Sequence, residues 1–78
     1  MSITAASVIL KFKQEEEENI RQALQDFKQV SIEEQAPSGD LILYVEEDDY
    51  QSLHKTCSEL EKIPGTLGVY PCYVGETE

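Results

Sequence analysis

Sliding the chain against itself by 33 residues lays Val8, Ile9, Leu10 and Phe12 on Leu41, Ile42, Leu43 and Val45 without a gap. The same offset carries Ile20, Leu24, Phe27 and Val30 onto Leu53, Cys57, Leu60 and Ile63. A strand-like alternation followed by apolar residues at helical spacing therefore occurs twice, which marks one supersecondary unit used twice. Two βαβ units in 78 residues leave room for a single domain, residues 1–78, and for few topologies. The compact way to interleave them is the split βαβ, or ferredoxin-like, arrangement. It is an α+β fold of order βαββαβ, in which two helices cover one face of a four-stranded antiparallel sheet of strand order 4-1-3-2.

The local signals agree with that order. Lys11 and Lys13 alternate with Val8, Leu10 and Phe12, which predicts a first strand over Ser7 to Lys13. Glu15 to Glu18 put negative charge where a helix dipole is positive, and the stripe Ile20, Ala23, Leu24, Phe27 predicts a helix to about Phe27. Val30 to Glu33 alternates again, and Ala36-Pro37-Ser38-Gly39 turns the chain into the β-rich run Leu41 to Val45. Asp48 or Asp49 can cap a second helix with the stripe Leu53, Cys57, Leu60, Ile63; Pro64-Gly65 stops it before a last strand, Leu67 to Val74. Pro71 cannot donate to a ladder, which suits the edge position that this topology gives the last strand.

Because neighbouring strand residues point to opposite faces, the alternation sorts side chains into two sets. Val8, Leu10, Phe12, Val30, Ile32, Leu41, Leu43, Val45, Leu67 and Val69 are expected under the helices. Ser7, Ile9, Lys11, Ser31, Glu33, Ile42, Tyr44, Glu46, Gly68, Tyr70 and Cys72 are expected on the uncovered face. The centre of that second set, Ile9, Ile42, Tyr44, Tyr70 and Cys72, is an apolar and aromatic strip of a kind that monomers seldom leave without use. The candidate peptide-binding residues are Ser7, Ile9, Lys11, Glu33, Ile42, Tyr44, Glu46, Tyr70 and Cys72. An amphipathic helix or extended peptide can lay its apolar side there while basic residues reach Glu33, Glu46 or the acidic helix ends. A second copy of the chain, forming a homodimer through the sheet, is another occupant that the strip admits.

Sixteen acidic against six basic residues give a formal charge of −10, which repels a nucleic-acid backbone and attracts cations or basic peptides. No apolar run approaches the roughly 18 residues of a membrane span, and no basic residue precedes the short run Val8-Ile9-Leu10, so a soluble cytoplasmic protein without membrane insertion is expected. Two cysteines without metal-type spacing read as free thiols. His54 and Cys57 lie three residues apart, but two ligands make a poor metal site, and Cys57 matches core Leu24 in the repeat. The acidic runs Glu15 to Glu18 and Glu46 to Asp49 lack the alternating ligands and glycine of a calcium loop. There is no glycine-rich phosphate cradle and no framed nucleophile, so neither enzyme, cofactor nor metal is expected.

The stretch Ala36-Pro37-Ser38-Gly39-Asp40-Leu41-Ile42-Leu43-Tyr44-Val45-Glu46 resembles the hairpin and third strand of the NapD family, cytoplasmic assembly chaperones of periplasmic nitrate reductase. Ile63-Pro64-Gly65-Thr66-Leu67-Gly68-Val69 with Tyr73 is similar to that family's second helix end and last strand, and Ser7-Val8-Ile9 resembles its opening strand. The resemblance implies a chaperone that binds the twin-arginine (Tat) signal peptide of the nitrate reductase catalytic precursor and holds back export until the molybdenum cofactor is installed. Lys28-Gln29-Val30 in place of a frequent Pro-Gly turn, Val74 in place of a frequent histidine, and Pro71 in the last strand depart from the pattern and leave room for a different exported oxidoreductase as client. The competing readings are a small regulatory ligand-binding module acting as a dimer, and a purely structural subunit.

Overall fold

The computed structural model describes residues 3–77, with side chains as far as residue 72. In chain order it contains β1 (Ile3–Phe12), a single 3-10 turn (Gln14–Glu16) leading into α1 (Glu17–Leu24), β2 (Val30–Gln35), β3 (Leu41–Glu47), α2 (Tyr50–Glu61) and β4 (Thr66–Thr77). The strands form one sheet of order β2-β3-β1-β4, all neighbours antiparallel, which is the expected 4-1-3-2 read from the other edge. The fold is α+β and ferredoxin-like, with both central strands supplied by the repeated apolar runs.

Strand β1 shows the alternation most cleanly: Thr4, Ala6, Val8, Leu10 and Phe12 are buried and the residues between them are not. It begins four residues before the predicted Ser7, because its first inward positions are the small residues Thr4 and Ala6, which carry little apolar signal. Helix α1 stops three residues short of Phe27. The N–H groups of Gln25, Asp26 and Phe27 donate to carbonyls three residues back, on Gln22, Ala23 and Leu24, so the chain tightens and leaves the helix. Phe27 still packs against the core.

Asp49 caps α2, its carboxylate accepting from the Ser52 N–H at 2.7 Å. The helix ends in a turn at Gly65, whose φ of +95° is strained for any residue with a Cβ. A Cβ there would also lie 2.6 Å from the Cβ of Glu16. The Gly65 carbonyl accepts from the Lys13 N–H at 2.9 Å, which ties this turn to the end of β1.

Between the helices and the sheet, Val8, Leu10, Ile20, Leu41, Leu43, Val45 and Leu60 are fully withdrawn from water. Each contributes about 1.5–3 kcal/mol by burial. Buried Thr56 is satisfied at the border of this core: the Gln29 amide donates to its hydroxyl at 3.1 Å, and the hydroxyl donates to the Glu47 carboxylate.

Two residues assigned to the core lie outside it. Ile32 is 37% exposed: it sits opposite buried Leu43, on the helix side of edge strand β2, but the eight-residue α1 leaves this margin open. The result is a depression of about 300 Å³ lined by Arg21, Leu24, Gln25, Val30 and Ile32. Leu67 is 64% exposed because β4 bulges there, Phe12 pairing with Thr66 and Lys11 with Gly68, so Leu67 is the extra residue. Val30 and Val69 pack on the core while half-buried.

Candidate functional site on the uncovered sheet face

The helices cover only one side of the sheet. On the other side the pairing places residues in rows. Ile9 stands opposite Ile42 on β3 and Tyr70 on β4, and Ile42 stands opposite Glu34 on β2. One row thus reads Glu34, Ile42, Ile9, Tyr70 across all four strands. In the adjacent row Ser31, Tyr44 and Ser7 are paired, and beyond it Ala5 stands opposite Glu46. Ile9, Ile42 and Tyr44 are half-buried, while Tyr70 is 51% exposed. The strip is therefore apolar in the centre, aromatic towards β4, and bounded by carboxylates on β2 and at the end of β3.

Tyr70 lies along its own strand. A Cβ built on Gly68 would come within 2.6 Å of ring atoms Cε2 and Cζ of Tyr70, so the ring occupies the space a side chain at 68 would fill. Next to it, the Lys11 Nζ donates to the Asp40 carboxylate at 2.8 Å. That bond raises the lysine pKa and lowers that of the carboxyl; burial opposes both shifts, and the proximity of Tyr70 adds to the rise at Lys11. This end of the strip is charge-neutral by pairing. The opposite end is acidic: Glu46, Glu47 and Asp48 surround a shallow depression of about 230 Å³ together with Ile3.

Of the candidate residues, Ser7, Ile9, Lys11, Ile42, Tyr44, Glu46 and Tyr70 fall on this face by register. Glu33 and Cys72 occupy irregular positions. In β2, Ile32 pairs with Leu43 and Glu34 with Ile42, so Glu33 is the extra residue of a bulge. In β4, Val8 pairs with Pro71 and Ser7 with Tyr73, which leaves Cys72 as the extra residue; it is exposed, and its thiol lies 3.5 Å from the Tyr70 carbonyl oxygen as a weak donor. Glu34 shares this face by register although it is not among the candidates, as do Ile3 and Ala5, which lie before the predicted strand start. The one available hint was the run Glu33-Glu34-Gln35, which has no apolar alternation and so does not pin the register.

The two thiols are free, Cys57 buried and Cys72 exposed. Among the described residues no group of three or more His, Cys, Asp or Glu is placed to hold a metal ion, and no helix is long and apolar enough to cross a membrane.

No curated protein matches the chain. Among solved structures it is similar to the E. coli Tat proofreading chaperone protein NapD, whose solution structure superposes with a TM-score of 0.82 at 27% identity over 97% of this chain and 81% of that one. The family model for the NapD protein matches residues 3–76. A fold shared over nearly the whole length and a family model spanning all four strands support a chaperone role, and they show that the chain belongs to the NapD family.

Proposed function

We propose that this protein, a single domain over residues 1–78, is a cytoplasmic chaperone that binds the twin-arginine signal peptide of an exported molybdoenzyme, the precursor of the periplasmic nitrate reductase catalytic subunit. In this reading it prevents export while the cofactor is being inserted. The observation that carries the proposal is the apolar row Ile42, Ile9, Tyr70 on a sheet face that the chain's own helices leave bare. A twin-arginine peptide joins a basic pair to an apolar segment, and an acidic protein with an oily strip complements both parts.

The sheet margins bear on how the peptide binds. An extended guest would have to pair with β2 or β4, yet β2 carries a bulge at the charged pair Glu33-Glu34, and β4 is shifted in register twice and contains Pro71. Such margins resist strand addition. A guest lying on the face instead has to satisfy its own backbone hydrogen bonds, which an amphipathic helix does. The apolar side of that helix rests on Ile9, Ile42, Tyr44 and Tyr70, and the protein's part is to bind and shield rather than to catalyse.

Titration calorimetry with a synthetic twin-arginine signal peptide tests this. The wild-type protein is expected to bind with an affinity that falls as salt rises. Tyr44→Glu and Tyr70→Glu, which put a charge in the strip, are each expected to weaken binding by about tenfold or more. Equal binding by wild type and both variants removes the sheet face from the function.

A further inference from the structure

We propose that Glu34 is the acid that receives the basic end of the guest, and that the guest lies across the strands with that end over β2 and its apolar segment running towards β4. This rests on the peptide-binding reading above and assigns a direction and a specificity residue to the same site.

The direction follows from the two lines through Ile9. Along β1 its neighbours on the bare face are Ser7 and Lys11, both polar. Across the sheet its neighbours are Ile42 and Tyr70, both apolar. Along β3 the apolar stretch is Ile42 and Tyr44 and then meets Glu46, so a guest's apolar stripe keeps contact over three strands by crossing them and over at most two residues by following one. With strands about 4.8 Å apart, the span from β2 to β4 is about 14 Å, or about nine residues of helix at 1.5 Å each.

The polarity follows from the ends of the row. Its β4 end offers no acid: residues 66–72 of that strand are Thr, Leu, Gly, Val, Tyr, Pro and Cys. Its β2 end is Glu34, exposed and directly opposite Ile42. The side on which Glu34 projects is fixed independently by its neighbour. The Gln35 side chain reaches back over the helix layer, accepting from Arg21 Nη2 at 3.3 Å and donating to Glu17 Oε1 at 3.3 Å, so Gln35 points to the covered side and Glu34 to the bare one. Alternation read straight through β2 assigns that place to Glu33; the bulge hands it to Glu34. Glu46 also lies on the bare face, but opposite Ala5 and outside the apolar row.

The test is calorimetric titration of wild type, Glu34→Gln, Glu33→Gln and Glu46→Gln with two peptides: the twin-arginine signal peptide and a version with both arginines replaced by glutamine. All three positions are exposed strand residues, and a urea melt of each variant confirms an unchanged fold. Glu34→Gln is expected to weaken the arginine peptide roughly fivefold and to leave the glutamine peptide unchanged, while Glu33→Gln and Glu46→Gln stay within about twofold. Coupling of the arginines to Glu33 or Glu46 instead, or to none of the three, overturns the assignment while leaving peptide binding to the face intact. Failure of the wild-type protein to bind the arginine peptide at all overturns the peptide-binding reading and this assignment with it.

Discussion

The ring of Tyr70 lies over the backbone of Gly68, two residues earlier on the same face of β4, and occupies the space where a side chain at 68 would stand. The absence of a Cβ at position 68 thus sets the height of an aromatic group at position 70, and with it the flatness of the apolar row that Tyr70 completes.

Gly68→Ala should push that ring off the sheet. The atoms that must move are the far end of a half-exposed side chain, so the stability cost is expected to stay below about 1 kcal/mol. The Tyr70 ring resonances should lose their contacts to residue 68 in NMR spectra, and signal-peptide affinity should drop. A Gly68→Ala variant with the same ring contacts and the same affinity would show that the glycine has no such role.

Leu43 tests the core. It is fully buried in a central strand, and Leu43→Ala is expected to cost about 2–5 kcal/mol. For a domain this small that approaches the whole stability, so urea denaturation should find Leu43→Ala largely unfolded already at low denaturant.

Thr56→Val keeps the shape of a buried side chain but removes the hydroxyl that joins Gln29 to Glu47. Leaving those partners unsatisfied is expected to cost about 1–3 kcal/mol, and Thr56→Ser should retain most of the stability. Equal urea midpoints for the valine and serine variants would exclude a role for the hydroxyl.

The response to pH has two limbs. Asp40, Glu17 and Asp49 titrate below their ordinary values, chiefly through hydrogen bonds from Lys11, from Arg21 and from the Ser52 N–H respectively. A carboxyl whose folded-state pKa is depressed adds stability that is present above its unfolded value and is lost as pH falls through the folded one. Lys11 is raised, mainly by its bond to Asp40; its contribution is complete below the unfolded value of 10.5 and is lost as pH rises through the folded value. Urea midpoints should therefore be level around neutrality, fall below about pH 4 and fall again in strong alkali. Asp40→Asn is expected to soften both limbs, because it removes a depressed carboxyl and the partner that raises Lys11. An unaltered profile for Asp40→Asn would mean that the pair contributes nothing to either.

Strand order, helix number and most of the core were legible because Val8, Leu10 and Phe12, and Leu41, Leu43 and Val45, alternate within regular ladders, and because the repeat named both central strands. The reading failed where alternation and pairing part company. Leu67 looked like a core residue and Glu33 like a face residue until bulges inserted each as an unmatched position, and a bulge is a property of two strands that neither sequence segment declares by itself. Ile32 kept its predicted side of the sheet but not its burial, since burial there depends on how far α1 reaches. On the uncovered face, the apolar positions were legible from alternation within β1 and β3. Which of two adjacent glutamates shares their row was not, because choosing between them required the register.

The bulged, proline-containing margins of the sheet also govern what becomes of the protein when its strip is empty. Oily faces can meet in pairs, and pairing uses them up, whereas strand margins that join edge to edge offer a fresh margin at every step and grow without end into fibres. Irregular outer strands work against the second route, so molecules that keep an oily face in water resist growth into insoluble polymer.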